Sequence, residues 1–132
     1  MNKIKEAIAF VYLKAVKAGR EGEVTKHYLP VADLVEKLTN DEDMVIAAIL
    51  HDTIEDLDVT YEEIKINFGK RIADLVKEVT KSGYNVFPNL KSRDAVVIKL
   101  LDRAQNLYRY DSLPEEKKKK YIIKTKFWKD TN

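Results

Sequence analysis

An uninterrupted apolar segment that runs directly into a polar cluster most constrains the fold of this chain. The segment Met44–Leu50 carries no polar side chain, and His51-Asp52-Thr53-Ile54-Glu55-Asp56 follows it at once. A helix that is apolar on every side is buried in the protein interior. We therefore predict that Met44–Leu50 forms the central helix of the fold and that the polar cluster begins at its end, beside the core.

Helical periodicity extends over most of the remaining sequence. Apolar residues recur every three or four positions up to Gly19, and a second apolar stripe runs from residue 31 to residue 38. We expect Gly19 to end the first of these helices and Asn40 to cap the start of the central helix. Thr60-Tyr61-Glu62-Glu63 reads as a capping box that opens another helix, which Gly69 ends.

The second half of the chain contains one clear loop and one ambiguous segment. Residues 82–89 contain the glycine, proline and asparagine typical of a loop. The β-branched segment Ala95–Leu101 could be a buried strand, but the apolar pattern continues through Leu107 without a breaker, so we predict a helix. Ser112-Leu113-Pro114-Glu115 is a second capping box, and the run Lys117–Lys120 is typical of a solvated helix face. The expected fold class is all-α, in one domain over residues 1–132.

Composition narrows the classes of function. The chain has 132 residues, a formal net charge of +2 and no cysteine. Such a balanced charge does not favour a nucleic-acid or membrane partner, and the absence of cysteine excludes disulfides and thiolate metal sites. The apolar runs are too short to span a bilayer, and the first residues do not resemble a signal peptide. We therefore expect a cytoplasmic protein.

The cluster after the central helix contains the residue types of a metal site. Imidazole next to carboxylate binds divalent metals, and further carboxylates nearby can activate water. Burying so many acids without a cation would be costly. The simpler alternative is that His51, Asp52, Glu55 and Asp56 are exposed on a helix end and the loop that follows.

A second polar cluster follows the apolar segment before residue 102. Asp102 and Asn106 are one helical turn apart and share a face, with Asp102 next to the core. The alternative for Asp102 is an ion pair with Arg103. His27 is the other histidine, and alone it would be typical of a surface or capping position. Two histidines and two aspartates would form a mixed nitrogen and oxygen site, which suits Mn²⁺, Fe²⁺ or Zn²⁺ better than Mg²⁺ or Ca²⁺.

The order of these residues resembles a known family. His27, His51-Asp52 and Asp102 match the H…HD…D pattern of the HD-domain metal phosphohydrolases. The words Ala47–Asp56, Phe68-Gly69, Val79-Thr80-Lys81 and Val97–Arg103 resemble the hydrolase domain of RelA/SpoT proteins and the stand-alone small alarmone hydrolases. The similarity extends over about residues 9–125.

This resemblance implies a compact all-α HD-domain helical bundle that removes the 3′-pyrophosphate from (p)ppGpp, with Mn²⁺ as the usual cofactor. The expected partner is thus a small-molecule nucleotide substrate. By matching positions, the implied metal ligands are His27, His51, Asp52 and Asp102. Glu55 and Asp56 would position or deprotonate the attacking water. The implied substrate-binding residues are Asn106 at the ribose and Arg20 on the guanine. Lys99 and Arg109 are two further candidates for binding the substrate, and Arg109 suits a bidentate phosphate contact.

The sequence departs from the family pattern at three places. The proline that usually follows the first histidine is displaced, since the chain reads His27-Tyr28-Leu29-Pro30. A basic insert expected before the KLxDR-like motif is replaced by the short loop 82–92, and Arg109 stands where the family usually has threonine. Two alternatives therefore stay open besides alarmone hydrolysis: an HD phosphohydrolase for another nucleotide, and a catalytically silent alarmone-binding module.

Overall fold

The computed structural model describes residues 2–81, 88–109 and 114–119, and within these ranges the chain contains helices and connecting turns but no strand. This confirms the predicted all-α class. A single π-helical turn, Val24–Tyr28, joins α2 to α3, and residues 115–119 are helical. The α-helices are α1 (Lys3–Ala18), α2 (Glu21–Glu23), α3 (Leu29–Thr39), α4 (Glu42–Ile49), α5 (Thr53–Asp56), α6 (Tyr61–Phe68), α7 (Lys70–Val79) and α8 (Arg93–Tyr108).

Helix α4 lies at the centre of the fold, as its composition predicts. Every residue from Met44 to Leu50 is buried. The helix contacts α1, α3, α7 and α8, so its apolar side chains are covered from all directions. Because α4 ends at Ile49, the polar residues that follow begin inside the bundle rather than on its surface.

The predicted cap of α4 is wrong by one residue. Asn40 has a left-handed backbone, with φ of 52°, and ends α3 by donating its N–H to the Glu36 carbonyl at 3.0 Å. Asp41 has the extended backbone of an N-cap and accepts from the Met44 N–H at 3.3 Å. Asparagine tolerates left-handed geometry better than most residues, which explains why it ends one helix instead of starting the next.

Other predicted helix boundaries are confirmed. Gly19 ends α1 with a φ of 70°, Thr60 accepts from the Glu63 N–H at 3.1 Å, and Gly69 separates α6 from α7. The ambiguous segment Ala95–Leu101 belongs to α8, whose cap is Ser92. Most of the predicted loop, residues 82–87, and the start of the capping box at Ser112 lie outside the described residues. None of the described helices is long and apolar enough to span a membrane.

One arginine joins the starts of three helices. Arg71, at the start of α7, pairs with Asp41 at 2.9 Å, Asp43 at 3.0 Å and Asp94 at 3.2 Å. Asp41 caps α4, and Asp43 and Asp94 lie in the first turns of α4 and α8, where negative charge interacts favourably with the helix dipole. The carboxylates repel one another, and the guanidinium of Arg71 offsets that repulsion.

Replacing Arg71 with glutamine is expected to lower the free energy of unfolding by at most about 1 kcal/mol at neutral pH, because the cluster is half-exposed. Chemical denaturation measures the change. Lys70→Gln removes an exposed pair with Asp74 on the same helix and serves as the control. A loss in Arg71→Gln no larger than in this control would contradict the role of Arg71.

The same cluster predicts a pH dependence. Hydrogen bonds from Arg71 hold the pKa of Asp41 below its ordinary value. The stabilisation is therefore present above the ordinary aspartate pKa and is lost as the pH falls through the lowered value. Denaturation curves of wild type and Arg71→Gln should differ at pH 7 and converge in strong acid.

Candidate metal centre

Three distant parts of the chain bring two imidazoles and one carboxylate together beside the core. His27 lies in the π-helical turn, His51 follows α4, and Asp102 is in α8; their exposed fractions are 3%, 2% and 5%. The Nε2 atom of His27 lies 2.7 Å from Asp102 Oδ1, and that of His51 lies 3.5 Å from the same oxygen. One ligand atom from each of the three lies within 4.8 Å of the others.

The hydrogen bond on the far side of His51 fixes its tautomer. Its Nδ1 lies 2.6 Å from the carbonyl oxygen of Ala48, which can only accept, so Nδ1 carries the proton and donates. In the neutral ring, Nε2 then has a lone pair. This atom is buried without a hydrogen-bond partner, although carboxylate oxygens of Asp52 and Asp102 lie 3.3 and 3.5 Å away.

His27 is oriented in the same way. Its Nδ1 lies 2.9 Å from Gln105 Oε1, an acceptor in this orientation of the amide, and its Nε2 faces Asp102. Histidines that bind metals characteristically donate their other ring N–H to an oxygen in this manner. Imidazole lone pairs and carboxylate oxygens thus converge on one point, where only a proton or a cation can join them. The donor set fits a divalent metal ion.

The close approach of these groups shifts the pKa values of His51 and Asp102. Burial alone would lower the pKa of His51, but the carboxylates of Asp52 and Asp102 outweigh burial and raise it well above the ordinary value. Burial alone would raise the pKa of Asp102, but Lys99, His51 and His27 outweigh it and hold that pKa well below the ordinary value. Lys99 Nζ lies 3.2 Å from Asp102 Oδ2, so the buried carboxylate has a cationic neighbour of its own.

A second group of carboxylates adjoins the first. Ligand oxygens of Asp52, Glu55 and Asp56 lie within 4.8 Å of one another, on the turn and short helix α5 that follow α4. Glu55 accepts from the Lys81 N–H at 2.7 Å. Burial and the charge of Asp52 raise the pKa of Glu55. The alternative of exposed acids on a helix end is therefore wrong for these three residues, which are partly buried.

One pocket of about 250 Å³ opens onto both groups. Acidic, basic and aromatic side chains all line this pocket. His51 lies directly behind it, in contact with Asp52 and Asp102. The lining residues are Arg20, Glu23, His27, Tyr28, Asp52, Glu55, Asp56, Lys81, Lys99, Asp102, Asn106, Arg109 and Lys117.

The structure brings together all ten site residues that the sequence indicates, with nine of them in the pocket wall and His51 behind it. Arg20 is half-exposed and lies 3.9 Å from Asp56. Asn106 donates to Asp102 at 3.3 Å and accepts from Arg109 at 3.2 Å. The expectation that a lone His27 occupies a surface or cap is wrong, because the π turn directs it inward.

Sequence reasoning did not assign five further residues of the site. Gln105 could have been found from its spacing, since it lies one helical turn from Asp102 on the same helix face. Glu23 and Lys117 meet across 94 residues of sequence, so no local pattern could pair them. Lys117 was predicted to lie on a solvated face; it is exposed, but its ammonium group reaches the pocket. Tyr28 and Lys81 complete the set.

The sequence was compared with protein families. The family described as HD domain matches residues 7–87. The chain belongs to the HD domain family. An HD domain implies a divalent metal ion, and this chain has a histidine and aspartate group that could hold one. The matched range includes His27, His51 and Asp52 and ends before Asp102.

Several curated proteins are similar to this HD-domain chain. The guanosine-3′,5′-bis(diphosphate) 3′-pyrophosphohydrolase of Aquifex aeolicus is 38% identical over 112 residues, which cover 75% of this chain and 16% of the relative. The probable enzyme of the same name from Synechocystis is 33% identical, over 93% of this chain and 19% of its own length. The bifunctional (p)ppGpp synthase/hydrolase SpoT of Escherichia coli K12 is 30% identical, over 75% of this chain and 16% of its own length. The chain thus spans less than a fifth of these relatives.

A solved structure has the same fold. It is described as a metazoan ortholog of SpoT that hydrolyses ppGpp and plays a role in starvation responses. The two structures agree with a TM-score of 0.74 over 96% of this chain and 83% of the other, at 23% sequence identity. This agreement supports the helical bundle expected for the HD-domain chain.

Replacing Asp102 with asparagine is expected to weaken divalent-metal binding by more than about 100-fold, because it removes the charge that both imidazoles face. Isothermal titration with Mn²⁺ and metal analysis of the purified protein measure the loss, and circular dichroism checks folding. Asp94→Asn, on the same helix but remote from the pocket lining, is the matched control. Equal metal affinity in the two variants would exclude Asp102 as a ligand.

Proposed function

We propose that this chain removes the 3′-pyrophosphate of guanosine tetra- or pentaphosphate by metal-dependent hydrolysis, with Mn²⁺ as the expected ion. The observation that carries the proposal is the composition of one pocket. It joins a His/Asp centre, a group of carboxylates that can handle protons, and cations that suit a polyphosphate. The names of the similar proteins supply the substrate class.

His27, His51, Asp52 and Asp102 are the proposed metal ligands. Their support is the convergence of lone pairs and carboxylate oxygens described above. When bound, a divalent ion lowers the pKa of a coordinated water and polarises a phosphoryl oxygen. Ala48 and Gln105 keep the two imidazoles in the ligating tautomer by accepting their Nδ1 protons.

Glu55 and Asp56 are the proposed proton-handling residues. Both line the pocket next to Asp52, and the raised pKa of Glu55 makes its carboxylate a better proton acceptor at neutral pH. The Lys81 N–H holds one Glu55 oxygen, which orients the side chain. The water oxygen forms a new bond to the phosphorus next to the 3′ oxygen, and the bond between that phosphorus and the 3′ oxygen breaks. The water proton passes to a carboxylate, which delivers it to the leaving 3′ oxygen, so that the products are a 3′-hydroxyl and free pyrophosphate.

The remaining pocket residues are proposed to hold the nucleotide. Arg20, half-exposed at the rim, can stack on the guanine, and Asn106 can bond the ribose. Lys99 and Arg109 present positive charge toward the phosphates. The residues 1–132 are proposed to act as one HD-type unit.

Purified protein with Mn²⁺ is expected to convert ppGpp to guanosine 5′-diphosphate and pyrophosphate, and to lose this activity with a chelator. Chromatography of the nucleotides and a pyrophosphate assay measure the products. A panel of other phosphorylated nucleotides runs in parallel. If ppGpp stays intact while another nucleotide is cleaved, the chain is an HD phosphohydrolase of different specificity; metal-dependent ppGpp binding without turnover would indicate a silent binding module.

Glu55→Gln and Asp56→Asn are each expected to lower kcat by about 10²- to 10⁴-fold while Mn²⁺ binding persists, because the amides cannot accept a proton. Steady-state kinetics and metal titration are measured on the same preparations. Asp58→Asn is the control, since Asp58 is exposed just beyond α5 with a φ of 55°, a conformation that asparagine accepts. Full activity in Glu55→Gln and Asp56→Asn would remove both residues from the mechanism.

A further inference from the structure

Two cations from different parts of the chain meet one carboxylate at the wall of the pocket. Glu23, at the end of α2, lies 3.1 Å from Arg109 Nη2 and 3.5 Å from Lys117 Nζ. The two cations contact different oxygens of Glu23. All three residues line the pocket.

Glu23 and Arg109 are partly shielded from solvent, Lys117 is half-exposed, and Arg109 connects the group to the metal centre. The side chains of Glu23 and Arg109 are 24% and 15% exposed. The Nε of Arg109 donates to Asn106, which in turn donates to Asp102. Arg109 is therefore two hydrogen bonds away from a proposed metal ligand, and its guanidinium is held in one orientation.

The chemistry of this group is that of an anion site. A guanidinium binds carboxylate and phosphate oxygens through the same fork of N–H donors, and an ammonium group binds both as a point charge. Glu23 itself remains charged in this setting: burial would raise its pKa, but Arg109 and Lys117 outweigh burial and lower it. An internal carboxylate thus occupies the position that an incoming phosphate would take.

We propose that Arg109 and Lys117 form a subsite for the phosphates of the nucleotide that do not react, and that Glu23 is an internal anion that competes with them. The proposal rests on the proposed function in taking the substrate as a guanosine with phosphates on both its 3′ and 5′ sides. With the 3′-diphosphate at the metal centre, the 5′-diphosphate is the group that reaches this subsite.

If Glu23 competes with phosphate, replacing it should strengthen nucleotide binding rather than weaken it. Glu23→Gln removes a negative charge beside the bound phosphate, while its amide oxygen can still accept from Arg109. A residue that merely positions Arg109 would give weaker nucleotide binding when replaced. A competing anion gives tighter binding when neutralised, and the gain falls as salt screens the charges.

The first measurement is titration of the Mn²⁺-loaded protein with guanosine 5′-diphosphate and with guanosine. Glu23→Gln should bind the diphosphate about threefold tighter or more, whereas Arg109→Gln and Lys117→Gln should bind it about threefold weaker or more. Guanosine affinity should be the same in all variants. Arg109→Lys, which keeps the charge, should retain part of the wild-type affinity.

The matched controls carry the same charge changes outside the pocket. Glu21→Gln is exposed on α2, two residues from Glu23, and Lys119→Gln is exposed on the same helical segment as Lys117. Both should bind guanosine 5′-diphosphate as wild type does. Thermal unfolding of every variant checks that the fold is intact.

The second measurement is the KM for ppGpp and for guanosine 3′-diphosphate, which lacks the 5′ phosphates. Glu23→Gln should lower the KM for ppGpp alone, and the difference from wild type should shrink as NaCl is raised. Unchanged or weaker diphosphate binding in Glu23→Gln, or an equal response of the two substrates, overturns the proposal. If wild type does not hydrolyse ppGpp but the charge-dependent diphosphate binding remains, the proposed function fails while the subsite stands.

Discussion

The structure depends on a buried carboxylate that faces the Nε2 atoms of two imidazoles. Asp102 is nearly inaccessible, and its oxygens contact His27, His51, Lys99 and Asn106. A carboxylate at this depth is stable only when cations or donors surround it. The packing of α8 against α3, α4 and α7 is therefore tied to the charge state of the pocket. A cation bound there would join the π turn, the end of α4 and α8, so that metal binding and the free energy of folding are coupled.

The orientation of the two imidazoles is fixed by hydrogen bonds to uncharged groups. The Ala48 carbonyl belongs to α4 itself, one turn before His51, and Gln105 belongs to α8, one turn after Asp102. The central helix thus both buries the core and orients a histidine. The same architecture places the acids of α5 at the pocket, because the chain must turn as soon as α4 ends. The segment from α4 to α5 therefore determines both the packing of the core and the positions of the acidic residues at the pocket.

The sequence alone was sufficient to predict what local patterns control. The apolar segment Met44–Leu50 predicted the central helix, and the continuous pattern after residue 95 correctly favoured helix α8 over a strand. The cap at Asn40 was misassigned because one residue separates a helix-ending from a helix-starting asparagine, and only backbone angles distinguish them. Glu23 and Lys117 were missed because their contact depends on tertiary packing. The resemblance to HD phosphohydrolases indicated which distant polar residues to group, which composition and periodicity could not do.

The π-helical turn makes the length of one segment as important as its composition. The Leu29 N–H reaches back to the Val24 carbonyl, five residues earlier, and so accommodates one residue more than a regular helical turn. Each residue of an α-helix advances by about 100° around the axis, so loss of that residue would rotate Glu23 and Arg20 away from the face that His27 shares with them. Exposed Lys26 can vary in identity without affecting this alignment, but it cannot be deleted. The π turn therefore sets how Arg20 and Glu23 are aligned with His27 around the pocket.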